Sequence, residues 1–198
     1  LAEDTPDGTT EVVERLEEGD SYTISTYAPN PTRAQMRGAP EGFSSALGSY
    51  TMITLPPLGA SAVEPGSQLG GREVQMPLWG GDSFGDPEVP RRAVADSVYG
   101  DMYDIVRRVT ANSETMYDAV RDIERYLNRN YTYSEKPARA QYPLNAFLFR
   151  DQFGYCQQFS GAMALMLRMA GIPAQVAAGF SPGSLNRDAG EYRVRDLD

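Results

Sequence analysis

The sequence predicts an α+β protein: a β-rich, loop-rich region over residues 1–93, then a largely helical core over residues 94–198. Three observations carry this. Ser21–Tyr27 (SYTISTY) alternates β-branched or aromatic residues with small polar ones, the period of a strand, and Tyr50–Leu55 (YTMITL) is a second strand candidate. Near Pro90 the pattern changes, and apolar residues begin to recur at three- and four-residue spacing. A long apolar helix then starts at the chain's single cysteine, Cys156.

Bulk composition bounds what such a chain can be. Its 198 residues are enough to bury a real core. A net charge of −9 argues against nucleic acid or an anionic membrane surface as partner. One cysteine excludes an internal disulfide, and with no histidine neither a metal site nor any other cofactor is expected. The longest apolar run, around Ala162 to Ile172, is interrupted by Arg168 and is too short to cross a bilayer. Basic residues are almost all arginine, Lys136 being the only lysine.

The elements follow in order. Residues 1–20 are acidic and polar, with Val12, Val13 and Leu16 as the material of a short strand or frayed helix. The Ser21–Tyr27 strand gives way to a turn-rich segment with Pro29, Pro31, Pro40 and Gly42, and the Tyr50–Leu55 strand ends at Pro56-Pro57. Leu58 to Pro90 is rich in glycine and proline, with one strand at Glu73–Met76 and local packing around Trp79 and Phe84. Val98, Tyr99, Met102, Ile105, Val106 and Val109 predict an amphipathic helix over 94–110. Asn112-Ser113 then caps a second helix with an apolar stripe of Met116, Ala119, Val120, Ile123, Tyr126 and Leu127. An extended segment at 130–134 and the apolar run Pro143–Phe149 lead to Phe153-Gly154-Tyr155, read as a turn before the cysteine.

The cysteine helix is expected to run to about Ala170, stopped by Gly171 and Pro173, with Phe159, Ala162, Met163, Met166, Met169 and Ala170 on one face. A strand over Ala174–Phe180 and a turn at Ser181-Pro182-Gly183 come next. A thiol at the start of a buried helix meets free backbone N–H groups and the positive end of the helix dipole, and both favour thiolate over thiol. The same N–H groups are natural donors to a developing oxyanion. Residue chemistry alone leaves two readings of Cys156, a nucleophile or a small inert hydrophobe, because a thiolate with no visible base is half a mechanism.

The ordered series YLNRNYTYS (Tyr126–Ser134), PLNAFLF (Pro143–Phe149) and GYCQQFSGAMALMLRMAGIPAQVAAGF (Gly154–Phe180) resembles the transglutaminase-like family of papain-like cysteine enzymes. The likeness is to bacterial forms carried on the outer face of membrane proteins. It covers about the last hundred residues, with Gln175 where the family commonly has arginine. The stretch from SYTISTY to Pro29-Asn-Pro-Thr-Arg-Ala-Gln is more weakly similar to the extracytoplasmic region before that core.

The resemblance implies a papain-like core, its central cysteine helix packed on an antiparallel sheet, and incomplete here. It implies Cys156 as nucleophile, forming a thioester from a protein or cell-envelope peptide amide, with Gln152, Tyr155 and Gln157 as candidates for the oxyanion or cleft wall. The family's histidine and aspartate follow the cysteine helix, beyond a segment like Tyr192–Asp198. Asp196 and Asp198 are therefore not promoted to the triad acid. The chain is expected to be a C-terminally truncated piece, inactive alone, of a membrane-anchored, extracytoplasmic bacterial protein. Its open sheet edge is expected to favour self-association. The alternative is a non-catalytic binding or structural module of a membrane-anchored envelope protein.

Overall fold

The computed structural model describes residues 2–4, 10–12, 29–40, 42–43, 45–56, 71–80, 85–136, 140–178, 184–187 and 191–193. The strand expected at 21–27, the turn at 181–183, Phe84, Asp196 and Asp198 lie outside the described residues. The fold is α+β, with short strands flanking a helical centre.

Two strands, β1 (Ala2–Asp4) and β2 (Thr10–Val12), form an antiparallel pair in register Ala2↔Val12. The short helix α1 (Arg33–Arg37) is capped by Thr32, whose backbone N–H donates to Gln35 Oε1 at 2.8 Å. A 3-10 helix over Ser45–Thr51 takes up the first two residues of the expected Tyr50–Leu55 strand. Strand β3 (Met52–Leu55) then pairs antiparallel with β4 (Arg72–Gln75), Met52 opposite Gln75 and Leu55 opposite Arg72. Ile53, Leu55 and Val74 point inward, as the alternation requires.

The helix expected over 94–110 is two helices, α2 (Glu88–Ala95) and α3 (Gly100–Val109). Ser97 breaks it: its hydroxyl donates to the Val94 carbonyl at 2.7 Å and accepts the Tyr99 N–H at 3.1 Å, taking over backbone groups that a helix would use. Helix α4 (Met116–Asn130) buries Ala119, Ile123 and Leu127, one residue per turn. Its cap is Thr115 rather than the expected Asn112-Ser113. The Thr115 hydroxyl accepts the Asp118 N–H at 3.1 Å, while Ser113 Oγ donates to Asp122. Strand β5 (Thr132–Tyr133), helix α5 (Pro143–Ala146) and a π-helical turn over Phe147–Asp151 lead to β6 (Phe153–Gly154) and α6 (Cys156–Met169). A last hairpin pairs β7 (Ser184–Asn186) with β8 (Glu191–Arg193).

Helix α6 is the hub. It packs against α3, α4, α5 and the inner face of β3, and buries Ala162, Met166 and Met169 completely or nearly so. One hydrophobic cluster joins Ile53, Leu55, Val74 and Met76 from the β3–β4 hairpin to Met102, Val106, Ile123, Leu127 and Phe147 from the helical part. The cysteine helix therefore sits between an antiparallel hairpin and a helical layer. Among the described residues no helix is long and apolar enough to cross a membrane.

Helix α1 is pinned to α4 by Arg37, which donates from Nε to Asp118 Oδ1 at 2.8 Å. That hydrogen bond and the guanidinium charge, with help from Thr115, hold the Asp118 carboxyl below its ordinary value of 3.8. A lowered folded value means the contact stabilises above the ordinary carboxylate range and is lost as pH falls through the folded value. Backbone amides of α1 are expected to lose protection as the protein is acidified below about pH 4. Hydrogen exchange against an Asp118→Asn variant, which should show no such acid step, checks this.

Candidate active site

The site is built on the chain around Cys156. The parallel ladder β5–β6 sets Thr132 opposite Phe153 and Tyr133 opposite Gly154, so the segment read as a turn is a strand. Thr132 N–H donates to the Gln152 carbonyl at 3.0 Å and Ser134 N–H to the Gly154 carbonyl at 2.7 Å. These bonds fix the chain two residues ahead of the cysteine. A Cβ at Gly154 would lie 2.9 Å from Gln158 Cβ and 3.0 Å from Phe147 Cδ2, so only glycine lets the strand approach α6 this closely.

Tyr155 is extended (φ −111°, ψ −170°) and Cys156 is the first residue of α6. Tyr155 N–H donates to Gln158 Oε1 at 3.2 Å, and the Tyr155 hydroxyl donates to Gln157 Oε1. Ser160 Oγ donates to the Cys156 carbonyl at 2.7 Å. Cys156 itself is exposed and is not part of the packed core. A helix cannot satisfy the N–H groups of its first turn internally, so the thiol stands beside donors suited to an oxyanion.

The structure thus gathers Tyr155, Cys156 and Gln157 on one turn. Gln152 is placed differently: it adopts the left-handed conformation (φ 55°) and lines a hollow between α3, α4 and the π turn with Arg108, Tyr131 and Phe149. Its backbone carbonyl serves the site by accepting the Thr132 N–H. Asp151, nearby in sequence, is held below its ordinary value by bonds from the Arg150 guanidinium at 2.7 and 2.8 Å, which makes it a poor base. The thiol's base does not come from a histidine of these 198 residues, since they contain none.

Two supports were not singled out from the sequence. Aromatic rings run from Tyr131 through Phe147 (4.8 Å between centroids) and Phe159 (5.0 Å) to Tyr133 (6.4 Å), backing the first turn of α6. Tyr133 is 59% exposed and gives the region around Cys156 an aromatic border. Arg168 is the second support. Its Nε donates to the Ala174 carbonyl at 2.7 Å and its Nη1 to the Met52 carbonyl at 3.0 Å, tying α6 to β3 and to the segment beyond. A charge inside an apolar helix signals such partners, because an unpaired one is costly to bury. Arg168→Met is expected to cost roughly 2–4 kcal/mol through two lost charge-assisted bonds, read from urea unfolding. The α6 start should remain intact, since both contacts lie at the other end.

Residues 103–195 match the family model of the transglutaminase-like superfamily. The chain carries a transglutaminase-like domain. Over 133 residues, 67% of this chain, it is 34% identical to a protein-glutamine gamma-glutamyltransferase of Pseudomonas aeruginosa. Over 96 residues, 44% of the chain, it is 34% identical to the uncharacterized protein YebA of Bacillus subtilis. The chain spans only 17% and 13% of the lengths of these two relatives. Among solved structures it is similar to the periplasmic domain of TgpA from Pseudomonas aeruginosa bound to ethylmercury, at 33% identity. That likeness has a TM-score of 0.41 and covers 50% of this chain and 35% of the other. The transglutaminase-like match takes in α3 from Tyr103 on, α4, the aromatic column and the whole cysteine helix.

Proposed function

We propose that this transglutaminase-like domain belongs to an extracytoplasmic cysteine acyl enzyme acting on amide bonds of proteins or cell-envelope peptides. The observation that carries the reading is the exposed thiol of Cys156 at the first residue of the central helix. Cys156 Sγ attacks the amide carbonyl, a C–S bond forms, the C–N bond breaks, and ammonia or an amine leaves with a proton. An amine then attacks the thioester, forming a new amide and restoring the thiol; with water in its place the product is a carboxylic acid. N–H groups of the first turn hold the oxyanion, with Tyr155 and Gln157 as its wall. The proton is handled by a base outside these 198 residues, which contain no histidine. Residues 94–198 supply the nucleophile half of the core, and the β3–β4 hairpin of the preceding region backs it. The sequence motifs around Cys156 support a membrane-anchored parent with this domain on its outer face.

The test uses the full-length protein that carries this domain, with glutamine-rich unfolded casein and monodansylcadaverine. Fluorescence appearing in the casein band supports acyl transfer to an amine. Ammonia released without amine incorporation makes the enzyme a hydrolase. Neither product over a range of acyl donors makes the domain a non-catalytic module and sinks the reading.

A further inference from the structure

The other end of α6 carries a second feature of different chemistry. A cleft of about 500 Å³ opens there, lined by Trp79, Arg91, Arg92, Tyr103, Arg107 and Met169 among others. One wall is the segment from Met76 to Gly80, the other is α2 and α3, and the floor is the last turn of α6. The first wall is rigid. Trp79 N–H donates to the Gly171 carbonyl at 3.0 Å, and a Cβ at Gly171 would come within 2.1 Å of the Pro77 carbonyl oxygen.

The charge of this cleft runs against that of the chain. The chain carries a net −9, yet the lining has three arginines against one acid, Glu88. Glu88 is already taken, accepting from Arg91 Nη1 at 2.8 Å. Among the described residues Arg92 and Arg107 make no ion pair, and both are exposed. Tyr103 adds a neutral donor: burial raises its hydroxyl above the ordinary value, although Arg91 and Arg107 pull the other way. Guanidinium forks match carboxylates in a bidentate fashion. Beside them, the half-buried Pro77, Leu78 and Trp79 offer apolar and aromatic surface. A bare phosphate would leave that surface unused, whereas a peptide bearing carboxylates between apolar side chains would cover both.

We propose that this cleft binds an acidic peptide segment of a protein substrate, as a second contact point away from the nucleophile. The 14-residue length of α6 puts it about 20 Å from Cys156. A basic cleft concentrates acidic chains at a defined place. Its use as a substrate anchor rests on the acyl-enzyme reading above; binding itself does not.

The test uses the full-length protein with Cys156→Ala, so that no turnover competes, and fluorescence anisotropy with a labelled Glu-Phe-Glu-Phe-Glu-Phe peptide. Saturable binding that weakens with salt, and falls at least about tenfold in Arg92→Glu/Arg107→Glu, is the expected result. Partial recovery in Arg92→Lys/Arg107→Lys, which keeps charge and loses the fork, ties the effect to guanidinium chemistry and not to misfolding. Equal binding of the Lys-Phe analogue, or no change in the charge-reversed variant, overturns the proposal. So does polyphosphate binding as tightly as the acidic peptide, which would make the cleft a general polyanion site. With Cys156 restored, an acid-tagged glutamine substrate should show raised KM and unchanged kcat in the charge-reversed variant. Peptide binding without any turnover would leave the cleft standing and remove the enzyme reading.

Discussion

Replacing Cys156 by serine in the full-length protein is expected to lower amine incorporation by roughly 10³-fold or more, with the thermal unfolding midpoint unchanged. The two halves of this expectation have separate causes. A hydroxyl at the start of α6 has the same position and the same oxyanion donors, but its oxygen is a far weaker nucleophile than sulfur, so the attack is lost. The fold is indifferent because Cys156 is exposed and belongs to none of the packed core; exposed substitutions of this kind stay within about ±0.5 kcal/mol. Cys156→Ala should behave alike. Activity that survives in both variants would mean that another residue is the nucleophile. A large drop in unfolding midpoint would mean that Cys156 is structural.

The parts of the site legible in the sequence are those set by local rules. The apolar stripe Phe159, Ala162, Met166, Met169 and the Gly171–Pro173 stop placed a helix from Cys156 to about Ala170, and α6 ends at Met169. The run YTMITL, ended by Pro56-Pro57, marked β3, and Glu73–Met76 marked β4 shifted by one residue. What escaped was set by distant partners or by one side chain competing with the backbone. Nothing in Phe153-Gly154 announces a ladder with residues 132–133, because the pairing is non-local. The break at Ser97 turns on a single hydroxyl inside a run whose periodicity continues across it. Ala174–Phe180, expected as a strand after the turn at Gly171–Pro173, forms no ladder over residues 174–178 among the described residues. Ala174 instead gives its N–H to the Tyr50 carbonyl and its carbonyl to Arg168, so its hydrogen bonds are already spent. The basic cleft was invisible for a related reason: its arginines lie on two helices and its aromatic wall is a loop that composition marked only as irregular.

The largest loss of stability is expected where that loop meets the end of α6, in Gly171→Ala. Gly171 adopts φ +81°, a conformation costly for any residue with a Cβ. The added methyl would meet the Pro77 carbonyl oxygen at 2.1 Å, Trp79 N at 2.8 Å and the Leu78 carbonyl carbon at 3.0 Å. These are backbone atoms, so no rotamer change relieves the contact, and the Pro77–Trp79 segment must move. Strain, overpacking and the lost Trp79–Gly171 hydrogen bond together amount to about 3–5 kcal/mol. That is a large share of the ~5–15 kcal/mol that holds a domain together, and lowers the midpoint by about 10 °C. Gly161→Ala is the control. Its Cβ would touch only the flexible end of Leu144, at 3.3 Å, and alanine is the better helix former, so stability should hold or rise. If Gly171→Ala is equally tolerated, the loop is not locked to the end of α6. If it is destabilising as expected, the surviving folded fraction should also bind the acidic peptide less well, because the displaced Pro77–Trp79 segment is one wall of the cleft.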